Sequence, residues 1–165
     1  MSGMAGSADS GDRSSLVSTL MMLACLVLGL LAGGMLVIGV AFVGFWKSLS
    51  PSDFQTWFAS YSHLIGRLMI PLGAGSVVTT VATLAAGWSG PTTRRAWLLV
   101  AALAAIGVMG TYPLFFAGTN ESFERGGLPD PTVRVLLDRW ATWHWARTGL
   151  GMVGFIAALR ALQRS

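Results

Sequence analysis

Two histidines and two arginines in this chain are spaced so that they fall on shared helix faces. His63 and Arg67 are four residues apart, and Trp140, His144 and Arg147 follow the pattern W-x3-H-x2-R. Residues three and four apart are neighbours on an α-helix. An imidazole can take a proton from an acidic carbon or a phenol, and a nearby guanidinium can stabilise the resulting oxyanion. Asn120 can add a hydrogen bond to the same anion. His144, Arg147, His63 and Asn120 are therefore the candidate catalytic residues. Arg67, Trp140, Trp143 and Tyr112 are the candidate substrate-binding residues, because indole and phenol rings stack against a flat aromatic molecule.

The same imidazoles have a second reading. Neutral histidine is a good ligand, so a haem or a transition metal between His63 and His144 is the alternative. No CxxC, HExxH or dense carboxylate set accompanies them. The leading expectation is thus a site without metal or cofactor. No nucleotide loop, nucleophile elbow or Ser-His-Asp arrangement is present. Cys25 is the single cysteine, so no internal disulfide forms.

Composition sets the elements that must position these residues. Of 165 residues, 53% are hydrophobic and only 11% charged, against about 25% charged in an average soluble protein. A soluble domain this small has too much surface to cover with so few charges, whereas lipid accepts an apolar exterior. The class is all-α, a bundle of four transmembrane helices. The formal charge is +4, without a Lys/Arg-rich run, so no nucleic-acid partner is expected. The expected partners are membrane lipid and a hydrophobic small molecule.

The spans follow from uncharged runs and breakers. Residues 1–14 are small and polar and read as a disordered tail. No charge occurs from Ser14 to Trp46, longer than the roughly 20 residues that cross a bilayer. Helix 1 is expected at 15–46, helix 2 at 53–87, helix 3 at 92–119 and helix 4 at 131–163. Ser50 or Ser52 suits the cap of helix 2, and Asp130 that of helix 4 with Pro131 following. Pro71 and Pro113 should bend their helices. Residues 121–131 read as the most polar loop, with Glu121–Arg125 and Arg134–Asp138 at ion-pair spacing. Gly29-x3-Gly33 and Gly149, Gly151 and Gly154 are packing faces, and they are also where a homo-oligomer would form.

Arg94 and Arg95 in the second loop, and Arg160 and Arg164 at the end, fall on one side of four spans. The positive-inside rule makes that side, and both termini, cytoplasmic. With the predominance of Arg over Lys and the abundance of Ala and Gly, the expected location is a bacterial inner membrane. Arg147 then lies about 20 Å from Arg160 along the helix. His63, Arg67 and Asn120 fall at a similar outer depth. Each has a plainer role as well: Arg67 as a snorkelling cation, His63 as an interfacial anchor, His144 in an aromatic belt, Asn120 as a helix C-cap.

Four short spans, the Thr119–Asn120 pair, a polar loop and then W-x3-H-x2-R resemble the DUF1772 membrane-protein family, which includes the anthrone oxygenases of polyketide pathways. The resemblance extends over most of 15–163 and is most specific at 112–150. It implies a four-helix membrane bundle and oxidation of an anthrone to an anthraquinone by molecular oxygen, with no evident organic cofactor. It also implies that Asn120, Trp140, His144 and Arg147 are pocket residues.

Overall fold

The computed structural model describes residues 4–164, with side chains from Ser14 onward. Four helical rods make up these residues. The first joins α1 (Met4–Val37), a π turn (Ile38–Phe42) and α2 (Val43–Ser48). The second is α3 (Pro51–Ala86). The third joins α4 (Thr92–Thr111), a second π turn (Tyr112–Phe116) and α5 (Ala117–Arg125). The fourth is α6 (Asp130–Leu162).

Short connections make consecutive rods antiparallel neighbours, and rod four closes back onto rod one. Stretches Ser14–Ser48, Pro51–Ala86 and Thr92–Arg125 are each long and apolar enough to cross a bilayer. The 33-residue α6 carries Arg134, Asp138, Arg139, Arg147 and Arg160 and does not meet that measure alone. Its buried positions run from Val133 to Ala161, so it lies along the apolar rods for its whole length. Leu26, Leu30, Val40, Val78 and Leu103 are each more than half exposed. Such an exterior is favourable in lipid and costly in water. The protein is a membrane protein.

Local chemistry sets the rod ends, and several differ from expectation. Of the two serines proposed to cap α3, Ser50 does so: it is extended, and its side chain accepts from Asp53 N at 3.1 Å. Pro129, not Asp130, is the cap residue of α6, and no side chain caps it. Asp130 sits in the first turn, where a carboxylate suits the helix dipole. Rod three runs on through residues read as loop and stops at Gly126 and Gly127, whose φ angles of 69° and 73° glycine adopts without strain. Phe123, completely buried, holds that extension in place. Of the expected disordered tail 1–14, residues 1–3 lie outside the described residues. From Met4 the backbone is helical, since no proline interrupts it and extending a helix is far easier than starting one.

Rods three and four approach through small side chains. A Cβ built on Gly154 would stand 3.1 Å from the Ala104 Cβ, and Ala101, Ala105, Ala157 and Ala158 are buried beside it. A Cβ on Gly29 would meet the Phe155 ring at 3.1 Å, and one on Gly151 would strike Met35. These three glycines therefore pack inside the bundle. Ser76, Thr80 and Thr83 face inward from α3 and bond to carbonyls of their own helix, Ser76 Oγ donating to Gly73 O at 2.7 Å. The other half of the bundle is aromatic, built on Trp46, Phe54, Phe58, Phe116, Phe123 and Trp140.

Candidate active site

In the aromatic half a cavity of about 560 Å³ is lined by residues from all four rods. That is ample for a small organic ligand. His63, Arg67, Tyr112, Asn120, Trp140 and Arg147 line it. His63, Arg67 and Tyr112 are exposed and form the rim, Trp140 is buried, and Asn120 and Arg147 are half-buried. Six of the eight residues singled out above thus converge on one space. His144 and Trp143 do not line it.

The helical wheel explains that split. At ~100° per residue, Trp140 and Arg147 share the centre of the face, His144 lies ~40° to one side and Trp143 ~60° to the other. His144 accordingly leans toward rod one and Trp143 toward rod three. The His144 ring is fully buried, and its Nε2 lies 2.8 Å from the Met35 carbonyl. A carbonyl can only accept, so the proton is on Nε2. Nδ1 then accepts from Arg147, from Nε at 3.2 Å and from Nη2 at 3.0 Å. Both nitrogens are engaged, which leaves neither a lone pair for a metal nor one for a substrate proton. Trp143, expected beside a ligand, instead stacks on Phe115 at 5.3 Å on the outer flank.

Arg147 is held on three sides. His144 fixes its inner edge, the Phe116 ring lies 3.7 Å from its carbon, and the Trp140 ring is 5.6 Å away. Among the described residues no carboxylate pairs with it. A cavity-lining guanidinium without a counter-ion is a ready anion site.

Trp140 organises the floor. Its ring stacks on His144 at 4.9 Å, and Trp46 and Phe116 meet it edge-on at 5.3 and 5.2 Å. Its Nε1 donates to Asn120 Oδ1 at 2.8 Å. Asn120 is therefore not a C-cap but a member of α5, and among the described residues its amide nitrogen has no hydrogen-bond partner and can donate. Both π turns lie at this level: Ile38 of the first and Tyr112 of the second line the cavity. The extra residue in such a turn re-aims the side chains around it, which is why π turns recur at functional sites.

Sequence reasoning missed several wall residues. Ser62 Oγ donates to Glu124 Oε1 at 2.7 Å, tying α3 to α5 at the rim, and both line the cavity. Trp46 lines it too, but beside Lys47 it looks like a span-end anchor. Gln55 binds the third loop, accepting from Leu128 N at 3.0 Å. The Glu121–Arg125 pair forms at 2.7 Å as spaced. Asp138 does not pair with Arg134; Lys47 reaches it from rod one at 2.7 Å. That pair is largely exposed, and such pairs contribute little. Among the described residues no group of three His, Cys, Asp or Glu could hold a metal ion.

One family model, described as anthrone oxygenase, matches residues 54–157. That stretch holds α3 from Phe54 onward, rod three and most of α6, and with them all eight candidate catalytic and substrate-binding residues. No curated protein and no solved structure matches the chain.

Proposed function

The chain belongs to the anthrone oxygenase family, and from that premise we propose that it is an anthrone-type monooxygenase acting on a hydrophobic phenolic or polyketide-type ring system. The ring lies in the cavity, with its oxygen toward Arg147 and Asn120. His63, whose imidazole has no hydrogen-bond partner among the described residues, takes the proton from the CH2 carbon. Arg147 and Asn120 hold the enolate that forms. His144 acts by orienting Arg147 and does not take the proton.

The electron-rich carbon passes an electron to O2, and recombination of the radical pair forms a C–O bond. The peroxide takes up a proton. Loss of the second C–H proton, with cleavage of the O–O bond and departure of water, leaves a ketone. One oxygen atom ends in the product and one in water, and every electron comes from the substrate. That balance draws on neither a haem nor a metal nor an organic cofactor.

The observation that carries this reading is Arg147, a guanidinium oriented by His144, facing the cavity and without a carboxylate partner among the described residues. The test is conversion of anthrone to anthraquinone by purified protein, followed by absorbance and oxygen uptake. Arg147→Ala should lower turnover about 100-fold, as loss of an oxyanion donor does. Full turnover in the Arg147→Ala, Asn120→Ala double variant would refute the mechanism. Saturable binding by the wild type without conversion would instead make it a non-catalytic binder of such molecules. We place the protein in a bacterial cytoplasmic membrane with both termini inside, because Arg94, Arg95, Arg160 and Arg164 gather at the bundle end opposite the cavity.

A further inference from the structure

The end of the bundle opposite the cavity carries four guanidiniums, and two of them are held in place. Arg94 and Arg95 stand in the first turn of α4, Arg160 in the last turn of α6 and Arg164 just past it. Leu98, one turn into α4, packs with Ala161 in one buried cluster, so the two pairs share a level. Arg94 lies against Gly90, where an added Cβ would strike its Nη2. Its Nε is buried without a hydrogen-bond partner, and among the described residues no ion pair or hydrogen bond reaches the rest of the group. Arg95 sits over the Trp88 ring, 5.1 Å from its centroid, and its Nη1 donates to the Trp88 carbonyl at 3.2 Å. The carboxylates among the described side chains, Asp53, Glu121, Glu124, Asp130 and Asp138, all belong to the other end of the bundle.

Orientation in a bilayer needs only the charges. It does not call for guanidiniums pinned by a glycine and a tryptophan. Nor does it call for cations where the α4 dipole already points its positive end. That first turn contains no acidic residue, and no side chain caps it. Cations so placed repel one another unless an anion lies among them. Their depth identifies the anion. The apolar stretch of rod three starts at Thr92, and Trp88 and Trp97 are exposed beside the arginines, as tryptophans at headgroup level are. Further along α4, Val100 and Leu103 present an exposed apolar flank that suits acyl chains. We propose that Arg94 and Arg95, with Arg160 and Arg164 at the same level, bind the phosphate of an acidic phospholipid. The guanidinium fork matches a pair of phosphate oxygens. A zwitterionic lipid would bring a cation of its own into a cluster of four and is disfavoured. This site does not depend on the ring chemistry assigned to the cavity.

The test titrates phosphatidylglycerol, phosphatidylcholine or inorganic phosphate into the full chain in an uncharged detergent and counts bound lipid by native mass spectrometry. Phosphatidylglycerol should bind saturably and more tightly than phosphatidylcholine. Arg94→Gln and Arg95→Gln should each weaken it about 5-fold, whereas Arg134→Gln, at the opposite end, should leave it unchanged. Equal losses from both ends would reduce the effect to net charge and overturn the proposal. Gly90→Ala keeps every charge but displaces the Arg94 guanidinium. It should weaken phosphatidylglycerol severalfold, and an unchanged affinity would overturn the built site. If the arginine variants do not fold, the wild type decides: equal affinity for the two lipids overturns the proposal. Inorganic phosphate at millimolar concentration should not displace the lipid. Full displacement would make this a site for soluble anions and overturn the assignment to lipid.

Discussion

An arginine among aromatic rings inside a membrane bundle has little to gain there unless something occupies the space in front of it. Arg147 is cushioned by Phe116 and anchored by His144, so its planar fork is fixed before any ligand arrives. Arg147→Lys removes that fork while keeping the charge. Turnover should fall at least 10-fold, measured as kcat/KM for an anthrone, with little change in thermal stability. His144→Ala frees Arg147 and strands the Met35 carbonyl. It should cost about 1–3 kcal/mol of stability and also reduce kcat; a variant as stable and as active as wild type would contradict the positioning role. The W-x3-H-x2-R stripe was legible because helical spacing is simple arithmetic. Which way each side chain leans was not, since that depends on what rods one and three present to it. Trp46 was hidden for the same reason: at the end of an apolar run its surroundings look like an interface, and only the fold closes aromatic rings around it.

The elements were legible where apolar runs and breakers set them, and less so where packing does. Ser50 and Pro51 announce the start of α3, and the uncharged stretches announce the spans. The π turns leave no comparable mark. Pro113 signals a disturbance in rod three, but nothing in Ile38–Phe42 does. Residues Glu121 to Arg125 read as loop because they are polar, yet Phe123 and the Ser62–Glu124 bond secure them as helix. Two glycines separate packing from function. Gly151→Leu would drive a side chain into Met35 and should destabilise the bundle by about 1–3 kcal/mol, read as a drop in melting temperature in detergent. A Cβ on Gly66 meets only the tip of Ile70, at 3.8 Å, and Gly66 lines the cavity. Gly66→Leu should therefore keep its melting temperature and raise KM severalfold; an unchanged KM would mean the ligand sits elsewhere.

The whole molecule divides along its length into a tightly packed end of small residues and an aromatic end that leaves room. The orientation of those ends is testable in a Cys25→Ser background. A cysteine at Ser89 should react with an impermeant thiol reagent only from the cytoplasmic side, and one at Glu121 only from outside. The reverse pattern would invert the topology. One feature of the cavity governs how any substrate gets in. Ile70 and Tyr112 line it and are 51% and 41% exposed, so with these rods spanning a bilayer the entrance would border acyl chains as well as water. On the proposed function, a sparingly soluble ring system would arrive by lateral diffusion within a leaflet. The quantity that sets occupancy is its mole fraction in the bilayer, and in vesicles the apparent KM, expressed per volume of buffer, should rise in proportion to the amount of lipid added.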